Sequence, residues 1–327
     1  MRTLLVDGTN LFIINYTANP TLDANGNPSG GISGTLKSLR KIVRDIRPDR
    51  VVFVWDGPGG STKKKKLFNE YKKGRRPRVV AGRTYVFETV EKAVENKIWQ
   101  TQVLRNFLDC LPICQIVAQN IEADDAIAYL ANHHEYFNFK SCIIATCDKD
   151  FYQLINDSRV IFNPIKKQLI TTDVLLEETG YHPQNWLFFK SINGDKSDNI
   201  EGVKGIGPKT IAKIFDVKNS QKKLTPDSIR EAYSTSSTLK KETHKKWITR
   251  LYEELDLIER NWKLMSLEEV MVSIDMKDRL TSIVENFVPH SNAKKFNVEL
   301  LRLGGLPIDA SFISNFRNLF SDGRKVG

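Results

Sequence analysis

Three short apolar runs in this chain share one ending: TLLV stops at Asp7, VVFVW at Asp56, and SCIIATC at Asp148. Each has the length and composition of a strand buried on both faces. Between the first two lies GISGTLKSLRKIVRDIRP, in which Ile32, Leu36, Leu39, Ile42, Val43 and Ile46 recur at helical spacing until Pro48 stops the pattern. Strand, helix and strand in that order make a βαβ unit, and such units build parallel sheets. Ligands of open parallel sheets gather outside the carboxyl ends of the strands. The expected fold class is therefore α/β, a mostly parallel central sheet with flanking helices, with three aspartates converging on one rim.

Further acids join them. IEADDAIAYL places Glu122, Asp124 and Asp125 in the first turn of a helix, where capping accounts for one or two acids but not easily for three. Asp150 follows Asp148 in DKD, and GDKSD contributes Asp195 and Asp198. If the fold unites these nine carboxylates, divalent cations must relieve their repulsion. Oxygen ligands without nearby Cys or His suit Mg²⁺ or Mn²⁺ rather than zinc. Two such ions about 4 Å apart are the recurring device for phosphodiester hydrolysis. The four cysteines, Cys110, Cys114, Cys142 and Cys147, sit in apolar surroundings away from the histidines and read as small core residues in a reducing compartment.

Charge points to the substrate. Lys plus Arg outnumber Asp plus Glu by 49 to 39, a net charge of +10 that favours a polyanionic partner. The excess is concentrated in STKKKKLFNEYKKGRRPRVVAGR, residues 61–83, with ten Lys or Arg against one Glu. That segment is expected to leave the sheet just after Asp56, above the acidic rim, and not to form a packed strand or core helix. No apolar run reaches the roughly 18 residues of a membrane span, and the N-terminus lacks a signal peptide, so a cytoplasmic protein is expected.

Residues 202–210, GVKGIGPKT, place a glycine turn before a helix. A P-loop is excluded because Pro208 stands where its Lys should follow Gly207, and a dinucleotide fingerprint lacks its preceding strand. VDGTN lacks the first acid of an aspartyl-phosphate phosphatase motif, since Leu5 occupies that position. The turn reads instead as a hairpin whose backbone N–H groups meet a nucleic-acid phosphate, a contact that positions without reading sequence.

VDGTN, WDG, EADD, DKD and GDKSDNIEGVKGIGPKTIAKIF, in that order, resemble the 5′-nuclease or flap endonuclease family, most closely its stand-alone phage members of the phage RNase H type. The motifs cover residues 1 to about 216. The resemblance implies a PIN-like nuclease core over residues 1–180, with a helical arch inserted at about 61–107, and a helical region over 181–327 carrying a helix-hairpin-helix at about 193–216. It implies that Asp7, Asp56, Glu122, Asp124, Asp125, Asp148, Asp150, Asp195 and Asp198 bind two Mg²⁺ ions, which Mn²⁺ can replace, and that the hairpin holds K⁺. EYKKGR resembles the family's YKxxR, which implies that Lys72 and Arg75 act at the scissile phosphate beside Asp148 and Asp150, with Tyr71 near the terminal bases. Arg76, Lys204, Gly205, Gly207, Lys209 and Thr210 complete the implied DNA contacts.

The expected activity is a structure-selective 5′ nuclease, exonuclease or flap endonuclease, working as a monomer on nicked or branched duplex DNA with 5′ flaps or RNA primers. A PIN-like ribonuclease and a non-catalytic branched-DNA-binding protein are the rivals. SFISNFRNLF, residues 311–320, has two readings: a docking peptide for a sliding clamp or single-strand-binding protein, or a buried terminal helix, which base rates favour.

Overall fold

The computed structural model describes residues 1–74, 79–219, 222–239, 241–268, 270, 272–304, 306–309 and 311–319. The chain opens with β1 (Arg2–Asp7), α1 (Gly8–Ala18), α2 (Gly30–Ile46) and β2 (Arg50–Asp56). It continues through α3 (Thr62–Leu67), a small hairpin of β3 (Val80–Ala81) and β4 (Tyr85–Val86), α4 (Val90–Leu108) and β5 (Cys114–Ala118). Then come α5 (Ala123–Asn132), β6 (Ser141–Ala145), β7 (Arg159–Asn163), β8 (Gln168–Ile170), α6 (Thr172–Thr179) and α7 (Trp186–Asn193). Helices α8 (Pro208–Ile214), α9 (Pro226–Ser234), α10 (Glu242–Glu253), α11 (Leu255–Met265), α12 (Ile274–Glu285) and α13 (Ala293–Arg302) follow.

One sheet carries six strands in the order β5-β2-β1-β6-β7-β8, parallel except for the β7–β8 pair. The central strand β1 pairs Asp7 with Val54 of β2 and Val6 with Ala145 of β6, so the three carboxyl ends lie side by side. The helix expected from the Ile32–Ile46 spacing is α2, and its C-cap Arg47 takes the left-handed conformation one residue before Pro48.

The three expected strands are β1, β2 and β6, and the sheet adds β5, β7 and β8. These three lie at or next to the sheet's edges. Half-exposed positions in β5 and polar or exposed residues in β7 and β8 break the apolar run that marks a central strand. The run SCIIATC also ends differently from its two counterparts. The strand stops at Ala145, and Asp148 lies three residues on, as the N-cap of a 3-10 helix over Lys149–Leu154.

Two apolar cores cover the sheet. On one face α1, α2 and α4 bury Leu11, Phe12, Leu36, Leu39, Leu104 and Phe107 against β1 and β2. On the other, α5 and α7 pack with Ile229 of α9, Leu251 of α10, Ile258 of α11 and Leu280 of α12 in one continuous cluster, so the later helices share the sheet's core. Phe312, Ile313, Phe316 and Leu319 are buried in the first core, where Phe312 stacks on Phe296 of α13. The apolar face of the described part of the SFISNFRNLF segment is therefore core, its polar residues are exposed, and Phe320 lies outside the described residues. All four cysteines are free and Cys110, Cys114 and Cys142 are buried, as expected of small core residues.

Candidate active site

The carboxyl ends of the strands form the floor of an acidic cleft of about 260 Å³. Eight of the nine expected carboxylates line it: Asp7, Asp56, Glu122, Asp124, Asp148, Asp150, Asp195 and Asp198. Asp125 alone is not part of the lining. It turns back to accept the amide of Glu122 (Oδ2, 3.2 Å), closing a reciprocal capping box at the start of α5.

Each floor residue is held by the element that delivers it. Asp7 ends β1 and caps α1, accepting the Asn10 amide (3.0 Å) and the Thr146 hydroxyl (3.0 Å). Thr146 also accepts the Asp148 amide (3.0 Å), and Asn10 Oδ1 accepts that of Cys147 (3.0 Å), so the ends of β1 and β6 are laced together. Asp56 donates its amide to Thr9 Oγ1 (3.0 Å) and accepts the Ala123 amide (2.9 Å), joining β2 to the start of α5. Asp148 accepts the Asp150 amide (2.9 Å). Across the cleft, Asp195 accepts both the amide (2.7 Å) and the hydroxyl (2.6 Å) of Ser197 in the short turn that carries Asp198.

Three lysines neutralise part of this charge. Lys190 of α7 bridges Asp150 (2.8 Å) and Asp195 (2.6 Å). Lys64 of α3, only 5% exposed, contacts Glu122 (2.8 Å), Asp125 (3.3 Å) and Asp124 (3.5 Å). Lys72 pairs with the other oxygen of Glu122 and lies 4.0 Å from Asp198. Tyr71 completes the Glu122 shell, donating its hydroxyl to Oε2 (2.9 Å), while Ser61 donates to Oε1 (2.7 Å).

These lysines correct the reading of the basic stretch. Its first turn is a short helix, α3, and one of its lysines is buried in the acid cluster. Tyr71, expected near the terminal bases, is a buried residue of the cleft lining. The backbone of Lys72 is in the left-handed region (φ 55°) and its amide donates to the Asp198 carbonyl (2.8 Å), while Asn199 donates to the Glu70 carbonyl (2.8 Å). The basic segment is thus clipped to the Asp195–Asp198 turn. Arg75 and Arg76 lie outside the described residues.

The electrostatics record how crowded the floor is. Burial, with the Asp56 and Asp148 charges, pushes the Asp7 carboxyl up to about 7. Burial and the neighbouring Asp148 raise Asp150 to about 6, and burial also raises Asp148. Asp124 is driven well above the carboxylate range by burial and by the Asp125 and Glu122 charges, which outweigh Lys64. Glu122 moves the other way: burial opposes its charge, but the ammonium groups of Lys64 and Lys72 hold it below the usual range. A floor of oxygen donors that would take up protons near neutrality for want of positive charge fits a hard divalent cation.

The glycine turn of residues 202–210 contributes no residue to the cleft lining. Gly205 has φ +82°, a backbone that favours glycine. Gly207, by contrast, has an ordinary φ of −110° and caps α8, and a Cβ there would meet open space. The glycine that cannot be replaced for lack of room is Gly202, where a Cβ would fall 2.2 Å from the Asn193 carbonyl oxygen. Lys204 and Lys209 are exposed, Thr210 is half-buried, and the amides of Gly205 and Gly207 have no backbone acceptor among the described residues.

Sequence reasoning missed Lys64, Lys190, Asn10 and Thr146. Lys190 left a faint signal as the one charge within the apolar helix WLFFKSIN. Lys64 left none, being one of four consecutive lysines.

Residues 2–180 match the family model for the 5′-3′ exonuclease, N-terminal resolvase-like domain. The chain is 28% identical over 306 residues to a 5′-3′ exonuclease of Aquifex aeolicus, an alignment covering 90% of this chain and all of that one. It is 32% identical to the thermostable DNA polymerase I of Thermus thermophilus over 70% of this chain, and it spans only 26% of that enzyme. Its fold superimposes with a TM-score of 0.67 on the bacteriophage T5 D15 flap endonuclease, a structure with DNA and metal ions, at 19% identity over 88% of this chain and 99% of the other.

Proposed function

The chain belongs to the 5′-3′ exonuclease family, and from that premise we propose that it is a divalent-metal-dependent nuclease that hydrolyses phosphodiesters at 5′ flaps, nicks and RNA primers of duplex DNA. The observation that carries this reading is the cleft itself, where eight carboxylates from distant parts of the chain face one opening. A protein that only bound branched DNA would gain nothing from a negative floor beneath its substrate.

Asp7, Asp56, Asp124, Asp148, Asp150, Asp195 and Asp198 would hold the ions, Mg²⁺ first and Mn²⁺ in its place. Bound there, such ions supply Lewis acidity toward the phosphate and the attacking water. The chain does the rest. Thr146, Asn10 and Ser197 fix the carboxylate orientations, and Lys190 offsets the repulsion between Asp150 and Asp195. At the cleft wall Lys72 holds an ammonium between Glu122 and Asp198, from which it could shift to an incoming phosphate.

The hairpin is the second half of the proposal. Amides at Gly205 and Gly207, with Lys204, Lys209 and Thr210 beside them, would hold a duplex phosphate, and K⁺ could share that contact. This grip sets the distance from duplex to cleft, so the substrate's shape rather than its sequence selects the cut.

The test is to incubate the protein with 5′-labelled flap, nicked, blunt and single-stranded substrates, DNA and RNA-primed, with Mg²⁺ or EDTA. Short 5′ products from flaps and nicks with Mg²⁺ alone are expected. Cleavage confined to single-stranded RNA would replace the proposal with a ribonuclease. Metal-independent binding without cleavage would leave a DNA-binding protein.

A further inference from the structure

We propose that Lys64 is a positioning residue, the resident counter-cation of the Glu122–Asp124–Asp125 trio, and that it closes this metal-like cluster to a divalent ion. The proposal rests on the acidic cleft being a cation site, as above, but concerns which carboxylates remain free to serve it.

Glu122, Asp124 and Asp125 each offer an oxygen within 4.8 Å of the others, a spacing suited to a single ion. The position is taken. Lys64 reaches all three from within, at 2.8, 3.5 and 3.3 Å, and an ammonium has three donors to match three acceptors. Its side chain is 7% exposed, against 6% for Glu122 and 11% for Asp125. An ion entering here would have to expel a buried charge whose own partners would then be gone, which is costly for both. Around the same ammonium, the Tyr71 hydroxyl bonds Glu122. Lys65 and Lys66, its neighbours in the run, are exposed, so the inward turn of Lys64 is a matter of its place on α3 and not of the run's composition.

Asp124 differs from its companions. Its side chain is 25% exposed and it lines the cleft, so it can present an oxygen to an ion on the floor while the trio stays closed. Glu122 and Asp125 then act through Lys64: they dock the base of the basic segment on the first turn of α5, which keeps Lys72 at the cleft wall. Of the expected nine carboxylates, Glu122 and Asp125 are then committed to Lys64, and the other seven keep an oxygen for the ion.

The experiment uses the full chain without DNA. Mn²⁺ is titrated by calorimetry into wild type, Lys64→Met and Lys64→Arg, and each is melted in EDTA and in Mn²⁺. Lys64→Met should melt several degrees lower than wild type in EDTA, bind one further Mn²⁺ equivalent, and regain most of the lost melting temperature when that ion is bound. Lys64→Arg, which keeps the charge, should bind the wild-type number. Unchanged stoichiometry in Lys64→Met overturns the proposal, as does a fall in melting temperature that Mn²⁺ does not restore, because lost packing alone explains that. If Lys64→Met does not fold, the double variant Lys64→Met/Asp125→Asn should fold, its surplus charge having been removed; failure of both also overturns the proposal. Absence of cleavage by the wild-type protein in Mg²⁺ would count against the nuclease reading and leave the Mn²⁺ count unaffected.

Discussion

The acidic cleft and the glycine hairpin lie close in sequence, joined by the stretch from Asp195 to Thr210, yet they treat charge in opposite ways. In the cleft nearly every charged group is engaged: Asp7 by Asn10 and Thr146, Asp150 and Asp195 by Lys190, Glu122 by two lysines and a tyrosine. On the hairpin Lys204 and Lys209 stand in solvent. Buried charge must be balanced where it lies, because desolvation is expensive, whereas exposed charge is held ready for a partner from outside. The difference suits a division of labour in which the first region cuts and the second grips.

The sharpest way to break that division is Asp148→Asn. It removes a floor carboxylate without touching the hairpin, so single-turnover cleavage should fall by roughly three orders of magnitude or more while flap-DNA affinity in Ca²⁺ stays near wild type. Turnover close to wild type would remove Asp148 from the ion set.

Lys72→Ala comes next. Charge beside the reacting phosphate acts chiefly in the transition state, so cleavage should drop by about 10²-fold with a much smaller change in affinity. A loss of affinity alone would make Lys72 part of the grip and blur the two regions. Arg75→Ala should behave in the same way.

A third outcome concerns the floor without metal. Asp7, raised to about 7 when folded against 3.8 as its ordinary value, binds more protons in the folded state between those limits. The metal-free protein should therefore lose stability as pH rises from about 4 to 7, by up to about 4 kcal/mol for this group. Asp150, raised to about 6, adds to the same trend. Melting in EDTA across that window should show the decline, and saturating Mg²⁺ should flatten it. A metal-free protein equally stable at both ends would show that neither burial nor the neighbouring charges hold protons on these carboxylates.

On the hairpin the effects are smaller. Lys209→Ala should weaken duplex binding and lower the salt slope by about one unit, with cleavage at saturating DNA unaltered. A changed Mg²⁺ dependence in that variant would argue against two separate regions. Of the two turn glycines, Gly205→Val should weaken duplex binding more than Gly207→Val, because only Gly205 has a positive φ. Equal losses would place the phosphate contact at the Gly207 amide as well.

How much of this was legible beforehand depended on distance along the chain. The helix over residues 30–46, the strands ending at Asp7 and Asp56, the acid-rich start of α5 and the glycine turn are local patterns, set by periods of two or 3.6 residues and by capping chemistry, and reading them needs no partner. The strand β5 escapes notice because an edge position does not demand apolar residues on both faces, and Asp148 reads as a strand end because the β-branched Thr146 and the small Cys147 prolong the run after pairing stops.

By itself, then, the sequence determined a parallel sheet with acids on its carboxyl rim, and a separate glycine turn among lysines. Tertiary structure decided which cations answer those acids. Lys64 finds Glu122 across 58 residues, and Lys72 finds it across 50. No local period encodes such a match: four consecutive lysines are alike in composition, and only the direction in which α3 meets α5 turns one of them inward. The same holds for Tyr71, packed among Leu187, Ile200, Leu264 and Met265 with its hydroxyl on Glu122, and for Gly205, whose positive φ belongs to the path of the turn.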